Sequence, residues 1–288
     1  MKRFTERLIL CFLMTVLIIQ IVACSGDNQK NDVMDDSETV HNALGIRNPS
    51  QYSWDYVSIG KYWYNDTNQD WEVNPKDKSE KIIWRVLSVE DRNKDGIEDT
   101  ALLLTEQCLD AMQFDVPKGR ASFEEADWES STLRKWLNNA FYNAAFNDKE
   151  KSAIVETDIS TEKYNGDIAE TKDKLFLLSF EDIQNERYGF KSFTEEEIEK
   201  GEIKSSAWEV EEFMVFIGDI GEESGDITWW LRSPSKAQEG HELVVSGDCV
   251  SRDGSDCAAH LWVRPAMYVS LDNAEVLPKV SSSDIKRR

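Results

Sequence analysis

The sequence predicts an α+β domain: mainly antiparallel sheet, with two to three helices in the middle of the chain. Three observations point there. Segments rich in β-formers come first, "YVSIGKYWY" (56–64), "KIIWRVLSVE" (81–90) and "TALLLTEQ" (100–107). A stretch with helical spacing follows over 127–156. The last third returns to strand-like runs, "ITWWLRS", "HELVVSGDCVS" and "AAHLWVRPAMYVS". Strands, then helices, then strands is the order of an α+β chain rather than of alternating βαβ units.

Each element has a local reason. Residues 56–64 alternate and carry β-formers, which reads as a strand. Residues 81–90 and 100–107 form the next two strands, an antiparallel pair joined by "DRNKDGIED", whose Asp, Asn and Gly favour a turn. Ser130 or Ser131 can cap a helix. Leu133, Trp136 and Leu137 follow at i, i+3, i+4 and make one apolar stripe. Asn147 caps a second short helix that ends near Ile154. "KLFLLSF" (174–180) reads as a buried strand, and Ser179 as the cap of a helix over 180–187. Thr194 and Glu197 form a capping-box pattern with Gly201 as its stop. Residues 209–226 read as an acidic, glycine-containing loop. Of the strands in the last third, the final one is expected to pair with the first and close the domain.

The N-terminus carries a targeting signal. Lys2, Arg3 and Arg7 precede an uncharged apolar run, Leu8 to Val22. That run is short for a spanning helix, and its flanks are those of an export signal. It ends in "IVAC" (21–24). This ending resembles the bacterial lipobox, and the resemblance implies that residues 1–23 are a lipoprotein signal peptide, with Cys24 the lipidated residue and Cys11 removed; the alternative is an ordinary signal peptide or an uncleaved anchor. Residues 24–50 are polar and aperiodic and read as a lipid-anchored flexible tether. Residues 51–288 then form a single domain with a short C-terminal tail, facing the outside of the cytoplasm on the cell membrane.

The net charge is −22, and removing residues 1–23, with three bases and one acid, takes it to −24. Such a chain lacks the basic face that phosphate binding needs, so nucleic acid is excluded as a partner. The expected partners are the lipid bilayer, through Cys24, and a cell-surface, glycan or peptide ligand.

The segments "IIWRVLSVE…ALLLTEQCLD", "WESSTLRKWLNNAFYNAAFNDKEKSAI", "DKLFLLSFEDI", "WWLRSP" and "VRPAMYV" occur in that order over about 55–271. The set resembles a bacterial family of uncharacterised extracytoplasmic domains common in lipoproteins. That family in turn resembles the C-type-lectin-like fold, which also houses formylglycine-generating enzymes. The resemblance implies a lectin-like α+β domain whose tryptophan strands mostly build the core.

Four sets of candidate residues emerge. Trp229 and Trp230 are adjacent on a strand and face opposite ways, so they cannot both contact one ligand. Arg232 and Arg264 can each grip a carboxylate with two parallel bonds. In so acidic a chain the expected carboxylate is internal, though a ligand-facing role remains the alternative. Asp91, Asn93, Asp95, Ile97 and Asp99 supply oxygens at positions 1, 3, 5, 7 and 9 of a calcium loop. Position 12, where a bidentate acid belongs, is Leu102, so the choice lies between a calcium site and a polar hairpin turn. Calcium is the one cofactor considered. The triplets by which calcium-dependent lectins hold sugar are absent from the sequence. Cys249 and Cys257 bracket a turn-like Asp253-Gly254 and are either a disulfide or two free thiols. No catalytic motif stands out, so a binding or cell-envelope interaction module is expected. The alternative is an extracytoplasmic enzyme: a hydrolase, or an oxidase related to the formylglycine class.

Overall fold

A computed structural model describes residues 42–70, 72–116, 126–200, 203–205, 207 and 227–285. Strands β1 (Tyr56–Tyr62), β2 (Glu80–Glu90) and β3 (Thr100–Thr105) form an antiparallel meander. Residues Ile82–Val89 of β2 are all buried, as an apolar run in a sheet covered on both faces should be. Three later strands extend the meander: β5 (Ile154–Val155), β12 (Ala266–Ser270) and β13 (Lys279–Val280). The order is β13-β1-β2-β3-β12-β5. The expected pairing of the first strand with the run that ends at Ser270 is corrected: β12 pairs with β3 and β5, and the outer partner of β1 is β13, with Tyr56 opposite Val280.

A second sheet has the order β10-β9-β8-β11-β4. Its members are β4 (Asp110–Met112), β8 (Thr228–Pro234), β9 (His241–Ser246), β10 (Cys249–Asp256) and β11 (Leu261–Val263). It is antiparallel except where β8 runs parallel to β11, with Trp229 opposite Trp262. Two chain segments pass from one sheet to the other side by side, β3 to β4 and β11 to β12. Thr105 N–H donates to the Pro265 carbonyl at 3.0 Å, and Leu109 N–H to Val263 at 3.0 Å. Pro265 therefore sits at a corner, where a missing donor costs least. This corner sets Glu106 beside Arg264.

The helices lie where expected but are shorter. Ser131 Oγ accepts from Arg134 N–H at 3.1 Å and starts α1 (Thr132–Trp136). A π-helical stretch (Leu137–Phe141) and α2 (Tyr142–Ala145) follow. Asn147 starts α3 (Asp148–Lys151) with a full capping box. Thr194 and Glu197 form the expected box on α4 (Glu195–Lys200). A last turn, α5 (Ser282–Ile285), follows β13. Leu133, Leu137, Phe141 and Phe146 join Trp84 in one core, and Trp84 Nε1 donates to the Ile59 carbonyl at 2.8 Å.

Several expectations are corrected. Residues 42–50 are not tether: Ile46 is 1% exposed, and Asn42 both donates to its carbonyl and accepts from its N–H. Asn48 Oδ1 also accepts from Val89 N–H at 2.7 Å, so the domain begins ahead of residue 50. The segment 174–180 is largely buried but forms no strand; its backbone meets β12 at a Phe176–Ala266 bridge and β8 through Arg232 N–H to the Leu178 carbonyl at 3.0 Å. Residues 180–187 form 3₁₀ turns, Asp182–Gln184 and Glu186–Tyr188, rather than one helix. An unforeseen hairpin pairs β6 (Thr157–Glu162) with β7 (Ile168–Asp173), and Gly166, at φ 88°, serves its turn. The acidic stretch 209–226 lies outside the described residues.

Candidate functional site

Trp229 and Trp230 point to opposite faces of β8, and both faces are covered, leaving them 1% and 0% exposed. Trp230 Nε1 donates to the Met112 carbonyl at 3.0 Å, and its ring meets Phe114 edge-on. Trp229 lies beneath the Arg264 guanidinium, 5.1 Å from ring centre to Cζ. Arg264 itself is fully buried, and its Nε donates to the Thr105 carbonyl at 2.8 Å. Its Nη2 stands 3.9 Å from Glu106 Oε2.

Glu106 is gripped on its other side by Arg85, whose Nε and Nη2 donate at 2.8 Å each. Arg85 stacks on Trp54 at 4.2 Å and donates to the Ala207 carbonyl. A stack therefore runs Trp54, Arg85, Glu106, Arg264, Trp229. Burial opposes ionisation of Glu106, but Arg85 and then Arg264 outweigh it and hold the carboxyl below its ordinary value. Burial and the neighbouring Arg85 charge lower the Arg264 pKa to about 10. Among the described residues, Glu106 is the carboxylate within ion-pair distance of both buried guanidinium groups. Arg232 is likewise held inside: its Nη1 donates to the Leu177 carbonyl and to Asp182 Oδ2, both at 2.6 Å.

Sequence reasoning singled out Arg232 and Arg264 but missed Arg85, Glu106, Asp182 and Trp54. The signal for two of them was available. Arg85 and Glu106 are charges set in or beside the apolar runs "KIIWRVLSVE" and "TALLLTEQ", where an unpaired charge is costly.

The 91–99 loop spends its oxygens on its own backbone. Asp91 accepts from Asp95 and Gly96 N–H, Asp95 from Ile97 N–H, and Asp99 from Arg92 and Asn93 N–H. Lys94 and Gly96 take positive φ to allow this. The same device recurs at 66–70: Asp70 N–H donates to Asp66 and Asn68, with Gln69 at φ 62°. Among the described residues, no group of three or more His, Cys, Asp or Glu is arranged to hold a metal.

Of the two alternatives for Cys249 and Cys257, the structure has the free thiols. Asp253-Gly254 is not a turn but part of β10, which runs from Cys249 to Asp256. The hairpin turn is Gly247-Asp248, where Ser246 pairs with Cys249. Cys257 lies just past the end of β10, and the bulged stretch Cys249–Asp256 still spans five residue steps of β9, roughly 17 Å, far beyond disulfide reach. Burial raises the pKa of both thiols, and pushes that of Cys108 up to about 12. These are thiols, not the thiolates that nucleophilic or redox chemistry needs. Cys24 lies outside the described residues.

A surface hollow of about 340 Å³ opens at the far end of β1. Its lining includes Lys61, Trp63, Ser79, Phe146, Asn147 and Glu150. The β1–β2 register shifts between Ser58 and Lys61. Gly60 sits in that shift at φ 78°, so close to Phe146 that a Cβ would stand 2.7 Å from the ring. Gly60 N–H donates to Glu150 Oε1, while Glu150 Oε2 accepts from Asn147 N–H. The helix cap is thereby tied to the strand. Tyr62 turns inward onto Phe141 and donates to Asp110, whereas Lys61 and Trp63 line the hollow. The tryptophan-arginine signature thus builds the frame, and the hollow lies apart from it. Among the described residues no helix is long and apolar enough to cross a membrane.

Residues 98–271 match a protein family described as "Domain of unknown function (DUF6273)". No curated protein and no solved structure matches the chain.

Proposed function

The chain belongs to the DUF6273 family, and from that premise we propose that it is a lipid-anchored, extracytoplasmic binding module of lectin-like build. Its ligand would be a glycan or peptide of the cell envelope. One observation carries the reading. The signature arginines are consumed by internal carboxylates and carbonyls, while a half-buried tryptophan, Trp63, lines a hollow beside polar side chains on a rigid frame. An aromatic body flanked by a few polar groups is the usual make-up of a small-ligand site, and 340 Å³ lies at the low end of the usual range of about 300–1,000 Å³. The "IVAC" sequence supports anchoring at Cys24.

The test is Trp63→Ala. The variant should melt like the parent and lose binding to envelope glycans or peptides in a calorimetric screen. Full retention of binding would remove the hollow from consideration.

A further inference from the structure

The geometry points to a carboxylate-bearing saccharide as the ligand of the Trp63 hollow, an inference that rests on the binding-module reading and narrows it. The observation is a pair of cations. Lys61, which lines the hollow, stands directly opposite Lys81 on β2, both exposed. Like charges directly opposed on one sheet face repel. The chain has 55 acids to 33 bases, so a carboxylate partner is easily supplied. Yet neither ammonium forms an ion pair with any described residue, whereas Lys149 beside the same hollow holds Glu275.

The nearby carboxylates, Glu150 in the lining and Glu80 beside Lys81, are held by neutral donors and pair with neither lysine. Glu150 accepts from the Gly60 and Asn147 N–H groups, and Glu80 accepts from the Asn65 side chain. Lys61 lines the hollow together with Trp63, and Lys81, its cross-strand neighbour, is likewise exposed. Trp63 offers its ring to the apolar C–H face of a sugar. Ser79 and Asn147 add hydroxyl and amide groups suited to sugar hydroxyls. Lys61, with Lys81 behind it, would take the sugar's carboxylate. A neutral sugar would leave the repulsion unrelieved.

The experiment uses the full-length chain and an array of acidic oligosaccharides, each beside its carboxyl-reduced counterpart. Binding is measured by calorimetry. Contact with the hollow is read from 19F NMR of 5-fluorotryptophan-labelled protein, Trp63 being assigned by the signal lost in Trp63→Phe. Expected is a preference for the acidic member of a pair, falling roughly fivefold in Lys61→Gln, as for loss of one exposed charge contact. Lys61→Gln/Lys81→Gln should erase the preference while the melting temperature holds or rises. Equal binding of acidic and reduced forms, with Trp63 still perturbed, overturns the charge inference and leaves the module reading intact. Perturbation of Trp63 only by envelope stem peptides, included as a third arm, overturns the saccharide class. A Trp63 signal that no probe moves sinks both readings.

Discussion

Glu106→Gln tests the frame most directly. The substitution keeps size and hydrogen-bonding shape but removes a charge that pairs with Arg85 and lies 3.9 Å from Arg264, which are 5% and 0% exposed. Breaking a buried pair by removing one partner costs about 3–5 kcal/mol, because the remaining charge is left uncompensated. For a domain of this size each kcal/mol shifts Tm by about 2–4 °C, so Tm should fall by about 6–20 °C. Thermal and urea melts followed by circular dichroism measure it. Two features separate this mechanism from a generic core lesion. High salt should not rescue the variant, since buried charges are poorly screened. Arg85→Met combined with Glu106→Gln should lose less stability than the sum of the single variants, by about 1–3 kcal/mol, as residues in one network do. Strict additivity, or a Tm within ~2 °C of the parent, would refute the claim that the Glu106 charge stabilises the two arginines.

The other predictions concern separate sites. Arg232→Ala takes the counter-charge from Asp182 and a donor from the Leu177 carbonyl, so Tm should drop, by up to about 3–5 kcal/mol of stability; an unchanged melt with altered ligand binding would make Arg232 a contact residue instead. Glu242 is 1% exposed and its Oε2 has no hydrogen-bond partner among the described residues; burial and then the Asp127 charge hold its pKa well above 4.5. A raised carboxyl pKa gives stability that is full below pH 4.5 and is lost as pH rises toward the folded-state value, so Glu242→Gln should flatten the fall of Tm over that window and raise Tm at neutral pH; parallel pH profiles would count against it. Because the 91–99 carboxylates already accept loop N–H groups, millimolar calcium should leave Tm unchanged, and a rise lost in Asp95→Ala would establish a cation site. Cys24→Ala should abolish labelling by a fatty-acid analogue, and equal labelling of both proteins would rule out that anchor.

The sequence carried the α+β class, the β2–β3 pair, the caps at Ser131, Asn147 and Thr194, and the inward role of Arg232 and Arg264. These are local signals, or follow from the cost of a buried charge. What it hid is non-local. β2 and β3 look like any apolar pair; that Arg85 and Glu106 meet Arg264 depends on β12 docking against β3, over 150 residues later in the chain. Residues 174–180 have a strand's composition, but they bond β12 only at Phe176. The hairpin at 157–173 was overlooked although its Asn165-Gly166 turn and alternating polarity were in view. The hollow was illegible for another reason. It depends on a glycine bulge at Gly60 and on a helix cap at Glu150, ninety residues apart, whose bond gives no periodic signal.

The meander also gives the domain two unlike poles. Asn42, where the described chain begins, bonds Glu98 beside the β2–β3 turn. Trp63 lies beyond the other end of the same sheet, where Tyr62 pairs with Glu80. β2 spans the distance between them, roughly 35 Å for eleven extended residues. The Asn42–Glu98 contact and the hollow therefore stand at opposite ends of β2, so a substitution that loosens one end need not disturb the other.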